Sequence, residues 1–226
     1  MASHLDLEEQ EQLEQLKAFW ARFGNLITAT VTVVLLALAG WNGWNWWQRD
    51  QAAKAAGLYE QLQGDIEAGE LDKANSAFAV LKDRFPGTTV AAQGALLTAK
   101  LQESKSQGDA ARATLAWTAE HASEAPYRDL AQLRLAGLLM DAKQLDAAAK
   151  ALDAVKALEF AGLVADRRGD IAVLKNQPDV AKGEYVKAYL ALEANLDYRR
   201  LVEAKLASLG VPAPEVKFSV QEGASK

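Results

Sequence analysis

The chain has 226 residues, 25 Lys and Arg against 30 Asp and Glu for a net charge of −5, and 50% apolar residues. That apolar share excludes a disordered polyelectrolyte, and the acidic balance argues against nucleic-acid binding. With no cysteine, a disulfide scaffold and thiol-based zinc, redox or nucleophilic chemistry are excluded as well. Five of the six tryptophans, Trp20, Trp41, Trp44, Trp46 and Trp47, fall within 28 residues.

Residues 1–22 read as an acidic cytoplasmic tail in which Asp6, Glu8, Glu9, Glu11 and Glu14 outweigh Lys17 and Arg22. Leu13, Leu16, Trp20 and Phe23 recur at three- and four-residue spacing, which predicts an amphipathic helix. Its acidic face disfavours anionic lipid headgroups, leaving a solvated helical extension or a docking peptide for a cytoplasmic partner.

Residues 23–48 contain no charged side chain. As a helix they reach roughly 39 Å, enough to cross the hydrocarbon core of a membrane. The tryptophans then mark its two interfaces, Trp20 at one end and Trp41, Trp44, Trp46 and Trp47 at the other, because indole is apolar with a single N–H donor. A cleaved signal peptide is the rival reading, since Ala37-Leu38-Ala39 precedes Gly40. The long acidic N-terminal region and the four tryptophans such cleavage would leave in water favour an uncleaved anchor. Lys17 and Arg22 on one side balance Arg49 and Lys54 on the other, so the positive-inside rule is tied. A short cytoplasmic tail and a translocated C-terminal domain are the economical topology. Asn25, Thr28 and Thr32 share a face, and Ala39 and Gly43 form a small-residue pair. Either they contact another membrane helix or the threonines bond their own backbone.

Residues 49–210 are rich in Ala, Leu, Gln, Lys and Glu, lack hairpin-turn dipeptides, and are cut by breakers into pieces of helical length. The fold class is all-α. Four pieces start alike, at Asp72-Lys-Ala74, Asp109-Ala-Ala111, Asp146-Ala-Ala148 and Asp179-Val-Ala181, spaced 37, 37 and 33 residues. Four residues after each Ala stands Phe78, Leu115, Leu152 or Tyr185. This pattern predicts antiparallel helical hairpins, with the Asp near the start of each second helix as a dipole partner and cap, and the Ala and large residue as repeat core. The small residue expected in each first helix is Ala99, Ala136 and Gly169 in the later three units, whereas the first unit has Leu62 there. The units resemble the tetratricopeptide repeat, stacked as an α-solenoid. Pro86 closes the first unit, and the others lack that Pro. A nonrepeating helical bundle is the alternative.

No HExxH, GxSxG or phosphate-binding glycine loop occurs, and the two histidines are His4 in the tail and His121 at a helix end, where an imidazole caps carbonyls. Asp166 and Asp170, interleaved with Arg167 and Arg168, read as a solvated ion-pair face. No catalytic, cofactor-binding or metal-ligating residue is assigned. Tyr127, Arg128, Tyr198, Arg199 and Arg200 are the candidates for a protein-binding surface, because Tyr and Arg carry much of interface energy. Tyr185 and Tyr189 fall where the repeat needs core aromatics. Residues 211–226, with Pro212 and Pro214 and no helical period, read as an extended tail.

The order of acidic tail, span with a Trp-rich exit and repeat array resembles the YfgM family of Gram-negative inner-membrane proteins. Leu7-Glu-Glu-Gln-Glu-Gln-Leu-Glu-Gln-Leu-Lys-Ala-Phe-Trp20, Gly40-Trp-Asn-Gly-Trp-Asn-Trp-Trp-Gln48 and Arg167-Arg168-Gly169-Asp170-Ile171 carry that resemblance. It implies an ancillary subunit of the SecYEG translocon, with a cytoplasmic N-terminus and a periplasmic repeat domain. It further implies contact with the membrane-anchored chaperone PpiD and handover of exported polypeptides to periplasmic chaperones. A membrane-anchored scaffold for envelope assembly or division is the alternative from another class.

Overall fold

The computed structural model describes residues 7–193 and 197–214, with side chains from residue 11 onward. All regular structure among them is helical: α1 (Leu7–Glu67), α2 (Leu71–Arg84), α3 (Thr89–Ser104), α4 (Gly108–His121), α5 (Ala125–Asp141), α6 (Leu145–Ala154), α7 (Ala161–Leu174), α8 (Pro178–Ala191) and α9 (Asp197–Ser208), with one 3₁₀ turn at Leu158–Phe160. The chain divides into two compact units, Met1–Gln51 and Ala52–Lys226. The all-α repeat fold expected from the sequence is therefore the fold observed.

The first unit contains the N-terminal part of α1. The predicted tail helix and span are one uninterrupted helix, and α1 contains the one stretch among the described residues long and apolar enough to cross a membrane. Leu26, Leu36, Trp41 and Trp46 are each about two-thirds exposed among the described residues, so the exposed apolar surface runs round the helix. A helix apolar on all sides suits a lipid surround or a buried core. Thr30 and Thr32 donate their hydroxyls to the carbonyls of Leu26 and Thr28 at 2.8 Å. Those threonines are satisfied within their own helix.

In the second unit, the C-terminal part of α1 pairs with α2, and α3/α4, α5/α6 and α7/α8 form three further hairpins. The four hairpin turns have one geometry. Gly69, Ser106, Lys143 and Asn176 adopt φ of 68°, 62°, 61° and 56°. The following amides, of Glu70, Gln107, Gln144 and Gln177, reach back to the carbonyls of Asp65, Gln102, Leu139 and Ala172 at 2.8–2.9 Å. This is the six-to-one bond of a Schellman turn, which satisfies carbonyls at the end of each first helix. Those same four residues are the N-caps of the second helices, with no side-chain cap bond. Each Asp stands two places further in, so the expected Asp cap is corrected to a first-turn charge facing the helix dipole. The Ala of each Asp-x-Ala bonds the N-cap carbonyl and is wholly buried: Ala74, Ala111, Ala148 and Ala181 are all 0% exposed.

Phe78, Leu115, Leu152 and Tyr185 are buried beside those alanines. Where the first unit has Leu62 instead of a small residue, space is made from the opposite side. A Cβ on Gly94 of α3 would stand 2.8 Å from Leu62 Cδ2, so the glycine belongs to the neighbouring hairpin. Ala55, Leu62, Ala74, Phe78, Leu81 and Ala95 share one core cluster, which joins the first hairpin to the array.

Connections between hairpins use separate devices. Thr88 caps α3 by accepting from the Ala91 amide at 3.3 Å. Pro126 sits in the first turn of α5, where its missing N–H costs nothing. The longer α6–α7 connection is held by Asp129 of α5, whose Oδ2 accepts from the amides of Lys156 at 3.1 Å and Ala157 at 2.7 Å.

Candidate functional site

The first helices of successive hairpins touch: α3 packs on α5, and α5 on α7. Between them runs a groove lined by Glu103 of α3, Leu130, Leu133, Arg134, Gly137, Met140 and Asp141 of α5, and Arg167 of α7. Its floor is apolar because Leu133 and Met140 also belong to the hairpin cores. Its rim carries charges of both signs. Gly137 leaves the floor open, with nothing within 4 Å of a Cβ built there. A concave apolar surface with a few polar groups can hold a partner's side chains.

The sequence-based candidates for a binding surface lie elsewhere and do not converge. Tyr127 is half-buried, accepts a bond from Gln93 Nε2 at 2.7 Å and packs on the Leu96–Leu115 cluster. Arg128 donates to the carbonyls of Ala122 and Ser123 at 2.7 and 2.8 Å, closing the end of α4. Tyr198 donates to Asp166 at 2.6 Å. The surface expectation for Arg199 is corrected: it is 8% exposed, with its guanidinium 4.0 Å above the Tyr189 ring. Arg200 is exposed and lies 3.5 Å from Asp197. Tyr198 and Arg199 serve as packing because α9 covers the end of the array, whereas Tyr127 and Arg128 lie on α5 and are engaged by α3 and the end of α4.

That closure rests on a polar network which the sequence reading took for a solvated face. Asp166 is wholly buried, and Lys205 of α9 reaches both its oxygens at 2.8 and 2.9 Å and Asp170 Oδ1 at 2.7 Å. Tyr185 donates to Asp170 Oδ1 at 2.8 Å. Two acids sharing one lysine are tolerable in the interior only when hydrogen-bonded on several sides, as here. Burial, then the hydrogen bond to the acid, pushes the phenols of Tyr185 and Tyr198 well above the ordinary tyrosine range.

His121 ends α4, stacks on Trp117 with ring centroids 5.2 Å apart, and has Nδ1 3.0 Å from the Trp117 carbonyl. Among the described residues no three His, Asp or Glu side chains converge as a metal site. Trp20, Trp41, Trp44, Trp46 and Trp47 are all exposed along α1, with Trp44 and Trp47 5.2 Å apart. Sequence reasoning missed Arg134 and Arg167, although each stands two places before the small residue of its hairpin, Ala136 and Gly169.

Comparison with known proteins gives consistent matches. An ancillary SecYEG translocon subunit from Neisseria gonorrhoeae is 29% identical over 213 residues, covering 92% of this chain and 100% of that protein. An ancillary SecYEG translocon subunit from Escherichia coli is 29% identical over 180 residues, covering 78% of this chain and 85% of that protein. No solved structure matches. These relatives bear out the resemblance to the YfgM family read from the sequence. Residues 17–211 match the tetratricopeptide repeat-like domain, and the chain belongs to that family.

Proposed function

We propose that this chain is a membrane-anchored, non-catalytic adaptor that works as an ancillary subunit of the SecYEG translocon. The observation that carries the reading is its similarity, over 92% and 78% of its length, to two proteins of that name. In this reading residues 1–22 are the cytoplasmic tail, 23–48 the inner-membrane anchor and 49–210 the periplasmic repeat domain; of the tail expected at 211–226, residues 215–226 lie outside the described residues. The repeat domain contacts PpiD and emerging polypeptides through the groove of α3, α5 and α7, and tethering raises the local concentration so that modest affinity suffices.

The test is photo-cross-linking in living cells from a probe at position 137, in the groove floor, in the full-length chain. Adducts to translocon subunits, PpiD and exported chains are expected, and their complete absence would overturn the proposal. Topology is tested separately. A single cysteine in place of exposed Lys105, in a chain with no other thiol, should react with an impermeant reagent from the periplasmic side.

A further inference from the structure

The groove has a feature that the resemblance does not specify. Arg134 and Arg167 occupy the same register in successive hairpins, and both line the groove. Neither guanidinium is well satisfied. Arg134 makes one long bond, 3.4 Å to the Leu96 carbonyl, and Arg167 stands 3.6 Å from Asp170 Oδ2. Arg128 and Arg168, by contrast, make bonds of 2.7–2.8 Å. A guanidinium has five N–H donors in a fork that matches a carboxylate, so the Arg134–Arg167 pair has unused donors on a concave surface.

We infer that this pair recognises an extended acidic peptide carrying two carboxylates three residues apart. Packed helices lie about 8–10 Å apart, so the backbone positions of register-equivalent residues on neighbouring first helices are separated by about that distance. A polyproline II strand repeats every three residues and advances about 9 Å in doing so, placing side chains i and i+3 on one edge at that spacing. A β-strand would turn them to opposite faces. The rim acids do not obstruct this pose. Asp141 lies seven residues beyond Arg134 on α5, about 10 Å along the helix, and Glu103 lines the groove near the C-terminal end of α3. They favour a basic residue at that side of the peptide. The inference rests on reading the groove as a polypeptide-binding surface and adds the class of sequence it selects.

The test uses the full chain in detergent micelles and two labelled ten-residue Pro- and Ala-rich peptides, one with glutamates three residues apart and one with glutamines in their place. Fluorescence anisotropy should show the glutamate peptide binding at least tenfold more tightly, with the preference weakening as salt rises. R134Q and R167Q should each lose severalfold, and the double variant should lose the preference. R200Q, at an exposed arginine of α9, should retain it. Equal binding of both peptides, or a preference that survives R134Q/R167Q with unchanged helicity, would overturn the inference while leaving the groove a peptide site. Failure of both peptides to bind, together with no cross-links from position 137, would remove the groove reading too.

Discussion

Replacing Gly169 by alanine probes the packing rule on which the repeat is built. A Cβ at position 169 would stand 2.5 Å from Cδ1 of Tyr185 and nearer still to Cε1, far inside the contact distance of about 3.5–4.0 Å between carbon atoms. The ring has no room to yield: it is 3% exposed, packs with Ala165, Ala172 and Ala181, and is anchored through its hydroxyl to Asp170. Relief requires α7 and α8 to separate. Overpacking of this kind costs about 1–3 kcal/mol, and a fixed aromatic ring puts this site near the upper end. Alanine returns about 1 kcal/mol of helix propensity, leaving a net loss of about 2 kcal/mol. For a domain of this size that lowers Tm by about 4–8 °C. Gly137→Ala is the matched control, because nothing lies within 4 Å of its Cβ. There the helix term acts alone and Tm should rise by about 2–4 °C. Thermal and urea unfolding of the full chain in detergent, followed by far-ultraviolet circular dichroism, measures both. Combining Gly169→Ala with Tyr185→Leu should cost less than the two changes separately, since the pair is in contact. Equal stability of G169A and G137A would refute the claim that the large residue of the second helix dictates the small residue of the first.

Three further outcomes are expected. Ser106→Gly and Lys143→Gly should each stabilise by about 0.5–1 kcal/mol, because a left-handed L-residue costs about 1–2 kcal/mol and glycine gives back part of that in chain entropy; urea midpoints report it. Asp129→Ala should cost about 2 kcal/mol by leaving the Lys156 and Ala157 amides without their acceptor, with faster hydrogen exchange at those amides than in Asp129→Asn, which keeps one oxygen. Stability should also fall in strong alkali. The phenols of Tyr185 and Tyr198 have folded pKa values raised above the unfolded value of about 10. Their contribution is therefore complete below about pH 10 and is lost as pH rises through the folded values. Absorbance of tyrosinate at alkaline pH should show Tyr185 and Tyr198 ionising late, and Tyr185→Phe/Tyr198→Phe should remove their share of the late phase while leaving that of Tyr59, whose phenol burial also raises.

Much of the fold was legible because the determining interactions are short in sequence. The Asp-x-Ala starts mark the second helices, and the alanine four residues before each large side chain is wholly buried. The partner of Tyr185 was legible too, since Gly169 stands where the repeat needs a small residue. The turn residues were less so: Ser106 and Lys143 adopt the left-handed conformation that only Gly69 and Asn176 advertise, because the hydrogen bonds of the turn outweigh local preference. Arg199 was misread because α9 lies beyond the last repeat, where no periodicity says which face is covered, and for the same reason the pairing of Tyr198 and Lys205 with Asp166 left no trace in the sequence. Arg134 and Arg167 left only a faint trace, their shared offset from Ala136 and Gly169, which acquires meaning once α5 and α7 lie side by side.

By itself, the order of residues determined the helices, their hairpin pairing and the long uncharged stretch of α1, because periodicity, small-to-large pairing and hydropathy act along the chain. Only the tertiary structure decided what became of the charges. Asp166 is buried and neutralised by a lysine 39 residues away, whereas Arg134 and Arg167, written in the same alphabet, remain at the rim of a groove. Burial and charge pairing depend on which helices become neighbours, and that choice is made by the stacking of hairpins.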